Sequence, residues 1–482
     1  MSSHLHPPPA AIDQRVGSTR VARYDRPGHR RHRSRARFDR TIRTLAGAAL
    51  WAGLLVVSYW WVADGGIVDL ASWGTGLTAV GRISGLFAAQ LLLVQVLLMS
   101  RLPLLEEAYG RVRLAAIHRL VGLWSFGLMI THIVTIVAGY ASARWSLALS
   151  TLWQLVVGYS GVLLAAAGVV CLCLVVATSI RASRRRLRYE SWHLLHLYGY
   201  LGAGLALPHQ LWTGHDFVSR PAARVYWWGL WAAAAGAVII WRGFFPLVRG
   251  LRHRLRVVSV VRESSDVISV TLTGRRLDRL PVRAGQFIYV RFLTAPGWTR
   301  ANPFSLSAAP DGRRLRITAR VVGDGTARMV RIRPGTPVFF EGPYGRLSSR
   351  ARTRSKVLLA GAGVGVTPLR ALAEGLAYRP GDAVLLHRYS DEPLFTREFA
   401  RLSVQRGLRV HELPGRRGRK GSVLGPLPAG FDDLAALHAL VPDLAEHDVF
   451  LCGPAGWMHA MRRLVRAGGV PVEQIHTESF AW

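Results

Sequence analysis

The chain has 482 residues, 50% of them hydrophobic, and this length accommodates a membrane bundle with one or two soluble domains. The formal net charge of +34 comes from arginine spread along the whole chain, without a basic helix that carries stacking aromatics, which argues against nucleic-acid binding. Only three cysteines occur, two of them within one apolar stretch, so neither a disulfide framework nor a cysteine metal site is predicted.

The chain begins with a tail rich in proline and arginine. Residues 1–42 show no apolar periodicity, so we predict a disordered, basic, cytoplasmic tail. The first apolar run starts near Leu45 and has no small-residue cleavage site, which indicates a membrane helix and not a removed signal peptide.

Six apolar stretches within residues 43–246 are each long enough to cross a bilayer. With a cytoplasmic N-terminus, the cytoplasmic segments hold 24 Lys and Arg residues and the outer loops hold 3. This asymmetry follows the positive-inside rule and predicts a six-helix transmembrane bundle in the cell membrane, with both termini in the cytoplasm. The predicted spans are residues 44–63, 78–99, 117–138, 153–178, 191–211 and 224–245.

Two of these stretches each carry a pair of histidines. His118 and His132 lie on the third stretch, and His196 and His209 on the fifth, where His193 is an alternative to His196. An imidazole in the hydrocarbon core is costly unless it is paired or ligates something, so matched pairs indicate a buried cofactor. Because both stretches run outward, His118 is level with His196 near the cytoplasm, and His132 is level with His209 near the outside.

The spacing within each pair constrains the helices. A separation of 14 residues returns His132 to within about 40° of His118, whereas 13 residues leave His209 about 140° away from His196 on a straight helix. The second spacing therefore predicts a bend or π-bulge, for which Pro208 is the candidate.

The soluble half contains two different patterns. Residues 251–350 form short, alternating, β-branched runs separated by Gly and Pro, which predicts an antiparallel β-barrel. Residues 353–482 alternate buried strands with helix-like segments, which predicts an α/β domain with a parallel sheet.

Three short motifs in the soluble half suit a nucleotide cofactor. In GAGVGVTP, glycines between a strand and a helix let a pyrophosphate approach the backbone and the helix N-terminus. NPFS sets the aromatic Phe304 beside the hydroxyl of Ser305, as stacking and hydrogen bonding to a flat cofactor require. Gly323–Thr326 offer small residues and backbone N–H groups for a phosphate. Each motif alone is also compatible with an ordinary turn or strand end.

In this order, the motifs resemble those of the ferric reductase and NADPH oxidase superfamily, in which a ferric-reductase-like transmembrane domain is fused to a ferredoxin-NADP reductase-type module. The resemblance implies a flavin motif that begins with asparagine in place of the family's histidine. FAD would be bound by Asn302, Pro303, Phe304, Ser305, Leu306, Gly323, Asp324, Gly325 and Thr326. The nicotinamide nucleotide would be bound in the α/β nucleotide-binding domain by Gly361, Gly363, Gly365, Thr367 and Pro368.

The same resemblance assigns roles near the end of the chain. The sequence Cys452, Gly453, Pro454 is similar to the family's Cys-Gly-Pro, which places a thiol near the nicotinamide and the flavin. The terminal ESFAW resembles the aromatic terminus that covers the flavin ring, with Phe480 as the first choice for the cover and Trp482 as the second. The candidate catalytic residues are Phe480, Cys452 and Ser305.

By the same resemblance, the four histidines would be axial ligands of two b-type haems. The inner pair would be His118 and His196, and the outer pair His132 and His209. Bis-histidine ligation suits electron transfer, because both axial positions are filled and the iron need not bind substrate. The expected function is electron transfer from cytoplasmic NAD(P)H, through FAD and the haems, to an acceptor outside.

More than one electron donor and more than one electron acceptor are compatible with the sequence. NADPH is favoured over NADH because Arg388 and three arginines within residues 416–419 suit a 2′-phosphate, although Asp391 lies three residues beyond Arg388. Ferric iron is favoured over O₂ as the acceptor, because Ile136 and not a histidine stands one turn beyond the outer ligand of the third stretch. A membrane subunit that supplies a partner protein with electrons is a third alternative. Membrane lipid is the other expected partner.

Overall fold

The computed structural model describes most of the chain as three successive domains. It covers residues 29–142, 144–180, 183, 187, 189–214, 220–294, 300–415, 422–427 and 431–478, and for residues 29–36, 189, 190 and 324 it describes the backbone alone. Phe480, Trp482 and the arginines within 416–419 lie outside the described residues. A helical domain comes first, followed by an antiparallel sheet and then a parallel sheet.

The helical domain extends from residue 29 to residue 253. Its helices are α1 (His29–Ala63), α2 (Trp73–Met99), α3 (Pro103–Tyr109), α4 (Arg111–Tyr140), α5 (Ala148–Gly158), α6 (Val162–Ser179), α7 (Tyr189–Trp212), α8 (Pro221–Val238) and α9 (Phe245–His253). Within the described residues, five segments are long and apolar enough to cross a membrane, namely Arg37–Ala63, Trp73–Met99, Arg111–Tyr140, Val162–Ser179 and Pro221–His253.

Two details of the predicted helices are wrong. α1 begins at His29, so residues 29–42 are helical and not disordered; arginine is a good helix former, and Arg43 is held by the backbone oxygen of Ala108 at 2.8 Å. The predicted span 153–178 is divided into α5 and α6, because Gly161 has a left-handed backbone with φ of +82°. The predicted fifth span corresponds to α7, which is not one of the five apolar segments.

Glycines let the histidine-bearing helices approach their neighbours closely. α2 packs against α4, and α6 packs against α7. A Cβ atom on Gly85 of α2 would lie 2.6 Å from Nδ1 of His132, and one on Gly168 of α6 would lie 2.7 Å from the backbone oxygen of Gly202 on α7. Both distances are shorter than van der Waals contact, so any larger residue would push the helices apart.

The antiparallel domain is a six-stranded sheet with the order β4-β3-β6-β1-β2-β5. Its two edge strands meet through a bridge between Leu306 and Ile317, and its core includes the fully buried Ile288 and Phe340. A short helix, α10 (Asp324–Met329), follows β5. The strands are β1 (Leu255–Arg262), β2 (Val267–Thr273), β3 (Phe287–Phe292), β4 (Asn302–Ser305), β5 (Arg314–Arg320) and β6 (Pro337–Tyr344).

The parallel domain confirms the predicted alternation of strands and helices. Its strand order is β11-β10-β7-β8-β9, so the chain starts in the middle at β7, moves to one edge and then returns to the other side. In such sheets, ligands bind at the carboxyl ends of the strands where the order reverses, which here lies between β7 and β10. The elements are β7 (Lys356–Ala362), α11 (Val366–Gly375), β8 (Ala383–Arg388), α12 (Thr396–Arg406), β9 (Arg409–Leu413), α13 (Asp433–Leu440), β10 (His447–Cys452), α14 (Ala455–Ala467) and β11 (Ile475–Glu478).

A buried arginine joins the helical domain to the antiparallel domain. Arg101 lies just after α2, and its Nη1 donates to Oε2 of Glu341 at 2.7 Å and to the hydroxyl of Tyr344 at 2.6 Å. Its guanidinium also lies 5.0 Å from the ring centre of Tyr289. Because the side chains of Arg101 and Glu341 are only 10% and 12% exposed, solvent screens this ion pair little.

We expect Arg101→Met to destabilise the protein by about 2 kcal/mol, because Glu341 keeps only Arg291 as an ion-pair partner and the hydroxyl of Tyr344 loses a charged donor. The measurement is chemical unfolding of the purified chain in detergent. Arg350→Met is the matched control, since the Arg350–Glu107 pair joins the same two domains but its side chains are 40% and 48% exposed. The control should lose less than about 1 kcal/mol, and equal losses in the two variants would contradict the prediction.

Candidate functional site

The structure brings the predicted inner histidines together. The ring centres of His118 on α4 and His196 on α7 lie 6.0 Å apart, with their planes inclined by 61°. His193 instead lies within electrostatic range of Arg242, Arg101 and Glu341 at the junction with the antiparallel domain. The geometry therefore selects His196 and not His193 as the residue that faces His118.

The outer histidines also lie near each other. His209 lies within electrostatic range of His132, and a Cβ atom on Gly161 would lie 2.7 Å from the backbone nitrogen of His209. α7 remains an α-helix through Pro208, so no π-bulge forms there, and the bend that Pro208 could cause stays a prediction. The helix break instead lies between α5 and α6, opposite His209. There Gly161 has no side chain and leaves room for the His209 backbone.

Both histidines of α4 are oriented by backbone oxygens of α2. Nδ1 of His118 donates to the backbone oxygen of Gln95 at 3.1 Å, and Nδ1 of His132 donates to that of Gly81 at 2.7 Å. A carbonyl oxygen can only accept, so each of these rings carries its proton on Nδ1 and leaves the lone pair of Nε2 available. This tautomer is the one that a histidine needs to ligate a metal through Nε2.

The two segments of the predicted flavin motif lie next to each other. A Cβ atom on Gly325 would lie 3.7 Å from Nδ2 of Asn302, so the first turn of α10 lies next to the start of β4. Thr326 holds that turn, because its hydroxyl accepts from the backbone nitrogen of Gly323 at 3.3 Å and donates to the oxygen of the same residue at 3.0 Å. Only the backbone of Asp324 is described.

The two side chains of the motif at the end of β4 have different surroundings. Phe304 is 7% exposed and packs in the core of the antiparallel domain, and Leu306 is fully buried there, so this placement does not support the stacking role predicted for Phe304. The hydroxyl of Ser305 is buried and has no hydrogen-bond partner among the described residues. A buried hydroxyl without a partner is costly, and it is the expected state of a residue that hydrogen-bonds a cofactor.

The predicted nicotinamide residues meet at the carboxyl ends of β7 and β10. Cys452 is aligned with Gly361 in the sheet, and a Cβ atom on Gly365 would lie 2.3 Å from the backbone oxygen of Cys452. Only glycine fits at this contact. Pro454 then starts α14, and the hydroxyl of Thr367, the second residue of α11, is buried without a partner in the described residues.

Arg388 ends β8, one strand further along the same edge. It is 6% exposed, and its Nη1 donates to the backbone oxygens of Tyr389 and Leu413, each at 2.9 Å. These bonds hold the guanidinium at the strand end. Contact between Arg388 and a 2′-phosphate stays a prediction.

Sequence analysis missed Glu478, which completes this edge of the sheet. It is aligned with Cys452, and its Oε2 accepts from the backbone nitrogen of Arg346 at 3.2 Å. Burial raises the pKa of the Glu478 carboxyl, while the N–H groups of Arg346 and Leu347 limit the rise. Burial, with a further contribution from Glu478, also raises the pKa of the Cys452 thiol well above its usual range, so the thiol is neutral. The sequence feature that could have identified Glu478 is its position two residues before Phe480, the predicted aromatic cover.

Known proteins match both halves of this arrangement. Residues 84–207 match the family described as the ferric reductase like transmembrane component, a segment that contains His118, His132 and His196 and ends just before His209. Over 241 residues, the chain is 30% identical to the ferredoxin–NAD(+) reductase component of the alkene monooxygenase system of Xanthobacter autotrophicus, a match that covers 48% of this chain and 70% of that protein.

The chain belongs to the ferric reductase and NADPH oxidase superfamily. It is a multi-pass membrane protein in which a ferric-reductase-like component is fused to a module of the ferredoxin-NADP reductase type. The resemblance stated from the motifs is therefore confirmed.

Two further proteins are similar to about half of this chain. The chain is 32% identical to the ferredoxin reductase component of 3-ketosteroid-9-alpha-monooxygenase from Mycolicibacterium smegmatis, covering 47% of this chain and 65% of that protein. The chain thus spans slightly less than two thirds of that relative. The FAD/NAD-binding domain of nitric oxide dioxygenase from Vibrio cholerae is 24% identical with a TM-score of 0.38, covering 47% of this chain and 98% of that domain.

We expect Glu478 to make the stability of the protein depend on pH. Between the unfolded pKa of a glutamate, about 4.3, and the raised pKa in the folded state, the folded protein binds more protons than the unfolded chain, so stability falls as pH rises through this window. Glu478→Gln should lack that fall. Thermal unfolding of the full chain over a pH series measures it, and parallel curves for the two proteins would refute the assignment.

Proposed function

We propose that this protein is a transmembrane oxidoreductase that uses cytoplasmic NAD(P)H, FAD and two b-type haems to reduce an acceptor on the outer side of the membrane. The observation that carries the proposal is the pairing of His118 with His196 and of His132 with His209 inside one helical domain. A six-helix bundle with both termini in the cytoplasm is part of the proposal and rests on the arginine distribution of the loops.

The inner histidines fit a bis-histidine haem. A metal–imidazole bond is about 2 Å long, so two rings on opposite sides of one iron have centres roughly 6 Å apart, in agreement with the 6.0 Å between His118 and His196. The backbone oxygens of Gln95 and Gly81 hold the α4 rings with Nε2 available for ligation. These hydrogen bonds fix both the tautomer and the ring orientation of a histidine that ligates a metal.

The soluble part fits FAD and a nicotinamide nucleotide. The hydroxyls of Ser305 and Thr367, which have no partner among the described residues, lie at the two motifs that the resemblance assigns to flavin and nicotinamide, and Gly365 adds no side chain to the second motif. Cys452 stays a neutral thiol beside Glu478, so it can pack against a ring or donate a hydrogen bond without adding charge. FAD, when bound, links a two-electron hydride donor to haems that accept one electron at a time.

The junction at Arg101 supports the order of the cofactors. It joins the antiparallel domain to the end of the helical domain that contains His118 and His196, and Tyr289, over which Arg101 lies, is aligned with Pro303 of the flavin strand. The flavin motif is therefore connected directly to the side of the inner histidines. His132 and His209 lie at the level farther from this junction.

Ferric iron is the acceptor that we favour. Ile136 packs against α2, since a Cβ atom on Gly81 would lie 2.7 Å from its Cδ1. An apolar side chain therefore occupies the position where we expect a histidine in an oxidase that makes superoxide. Reduction of O₂ and transfer to a partner protein are the alternatives. NADPH is favoured over NADH through Arg388, which stands at the correct strand end.

We expect NADPH to reduce the haems of the purified protein, reconstituted with FAD and haem, under anaerobic conditions. Haem absorbance, ferric chelate reduction and superoxide are followed in parallel, with NADH as the second donor. Ferric reduction that superoxide dismutase leaves intact supports the ferric reductase assignment. Ferric reduction abolished by superoxide dismutase favours the oxidase, and activity only with an added protein favours the carrier. Haem that stays oxidised with both donors would refute the scheme.

We expect His132→Ala and His209→Ala each to remove the outer haem signal and to leave the inner one, because each variant lacks one of two axial ligands. The measurement is low-temperature absorbance and electron paramagnetic resonance of the oxidised protein. His193→Ala is the control and should keep both haems, since His196 and not His193 lies beside His118, and His193 is within electrostatic range of Arg242 and Glu341. Two bis-histidine haems in either outer variant would show that the pairing is wrong.

A further inference from the structure

Two side chains of α11 hold the segment that follows the flavin motif. Arg370 donates through Nη1 to the backbone oxygen of Ser307 at 3.0 Å, and Oε2 of Glu374 accepts from the backbone nitrogen of Ala309 at 2.6 Å. Arg370 and Glu374 also pair with each other at 2.5 Å. Ser307 and Ala309 are the second and fourth residues after Ser305, so these contacts reach the flavin strand from the nucleotide domain.

A second arginine reinforces the connection from the opposite side. Arg316 on β5 donates to the backbone oxygen of Ser307 at 2.9 Å and binds both oxygens of Glu398 on α12, at 2.7 and 2.9 Å. Glu398 also pairs with Nε of Arg370 at 2.5 Å. Arg316 and Arg370, from different domains, therefore share one carboxylate and one backbone oxygen.

α11 is fixed at both ends as well as in its middle. Its N-terminus follows Gly365, which contacts the backbone of Cys452, and a Cβ atom on Gly375 at its other end would lie 2.7 Å from Cβ of Ala284 in the antiparallel domain. A helix held at three points cannot shift along its axis without breaking one of the contacts. Arg370 is 8% exposed, so its guanidinium is largely withdrawn from water, while the side chains of Glu374 and Glu398 are 34% and 28% exposed.

We propose that Arg370 and Glu374 are positioning residues for hydride transfer, and this inference rests on the proposed function. They tie the residues after Ser305 to the helix that begins at the glycine turn, and thereby fix the separation of the flavin and nicotinamide sites. In the step concerned, the C–H bond of the reduced nicotinamide breaks and its hydrogen moves with both electrons to the oxidised flavin. Oxidised nicotinamide remains, and no other reductant is needed.

The test compares Arg370→Met with wild type in two measurements on the full chain. Rapid anaerobic mixing with NADPH gives the limiting rate of flavin reduction and the Kd for NADPH. We expect that rate to fall about tenfold or more and the Kd to change less than about threefold, because the variant alters geometry and not the nucleotide contacts. Hydrogen exchange of the oxidised protein without nucleotide should become faster at the Ala309 amide, which Glu374 binds.

Arg406→Met is the matched control. Arg406 also binds the end of α11, through the backbone oxygens of Ala373 at 2.9 Å, Glu374 and the following Leu376, but these bonds stay within the nucleotide domain and do not involve the Glu374 carboxylate. It should leave the limiting rate within about twofold of wild type. Glu374→Gln, a smaller change that weakens the bonds to Arg370 and Ala309, carries the test if Arg370→Met does not fold, and it should slow flavin reduction in the same way.

Three results would overturn the inference. An unchanged limiting rate in both Arg370→Met and Glu374→Gln would show that the contacts do not position the reacting groups. An equal loss in Arg406→Met would show that general loosening of α11 is responsible. Unchanged exchange at Ala309 would show that the segment is held by other contacts. Failure of NADPH and NADH to reduce the wild-type flavin would instead refute the proposed function itself.

Discussion

Desolvation of the imidazoles is the constraint on which the helical domain depends. A histidine ring among apolar helices needs a partner for each nitrogen, and α2 supplies half of that requirement through the backbone oxygens of Gln95 and Gly81. These oxygens can reach the rings only because α2 lies very close to α4, as Gly85 shows beside His132. The ring centres of His118 and His196 lie 6.0 Å apart, so a metal ligated between them would give the remaining nitrogen of His118 a partner.

The parallel sheet positions the predicted nicotinamide-binding residues of the soluble half. Its strand order brings Gly361, Cys452 and Glu478 to one edge although they are far apart in the chain. A backbone contact between Gly365 and Cys452 excludes side chains there, and burial keeps the Cys452 thiol neutral. Next to Cys452 the thiol therefore adds no charge, and the raised pKa of the Glu478 carboxyl favours its protonated form.

Buried arginines account for part of the large positive charge of the chain. Arg101 connects the helical domain to the antiparallel domain, and Arg370 and Arg316 connect the antiparallel domain to the parallel domain. The guanidinium group suits this role, since its several donors bind carboxylates and backbone oxygens at the same time. Arginine thus has a structural use between the domains, where it joins their side chains and backbone, and the arginines of the loops are the basis of the proposed orientation in the membrane.

The sequence by itself determined the domain order, the histidine pairs and the nucleotide motifs, because these depend on local pattern: hydropathy, spacing along a helix, and glycines between a strand and a helix. Residues such as His118 and Gly365 could be chosen without knowing what they touch. The choice of His196 over His193 could not, since neither spacing to His209 fits a straight helix, and only the tertiary structure shows that the ring of His196 lies beside that of His118.

Tertiary structure alone decided the remaining features. Glu478 reaches Cys452 only through the pairing of β11 with β10, and Arg370 reaches Ser307 only after two domains have folded and docked. The break at Gly161 also involves a residue distant in sequence, because Gly161 lies against the backbone of His209. Contacts between residues distant in sequence depend on how helices and sheets pack, and local periodicity carries no information about that packing.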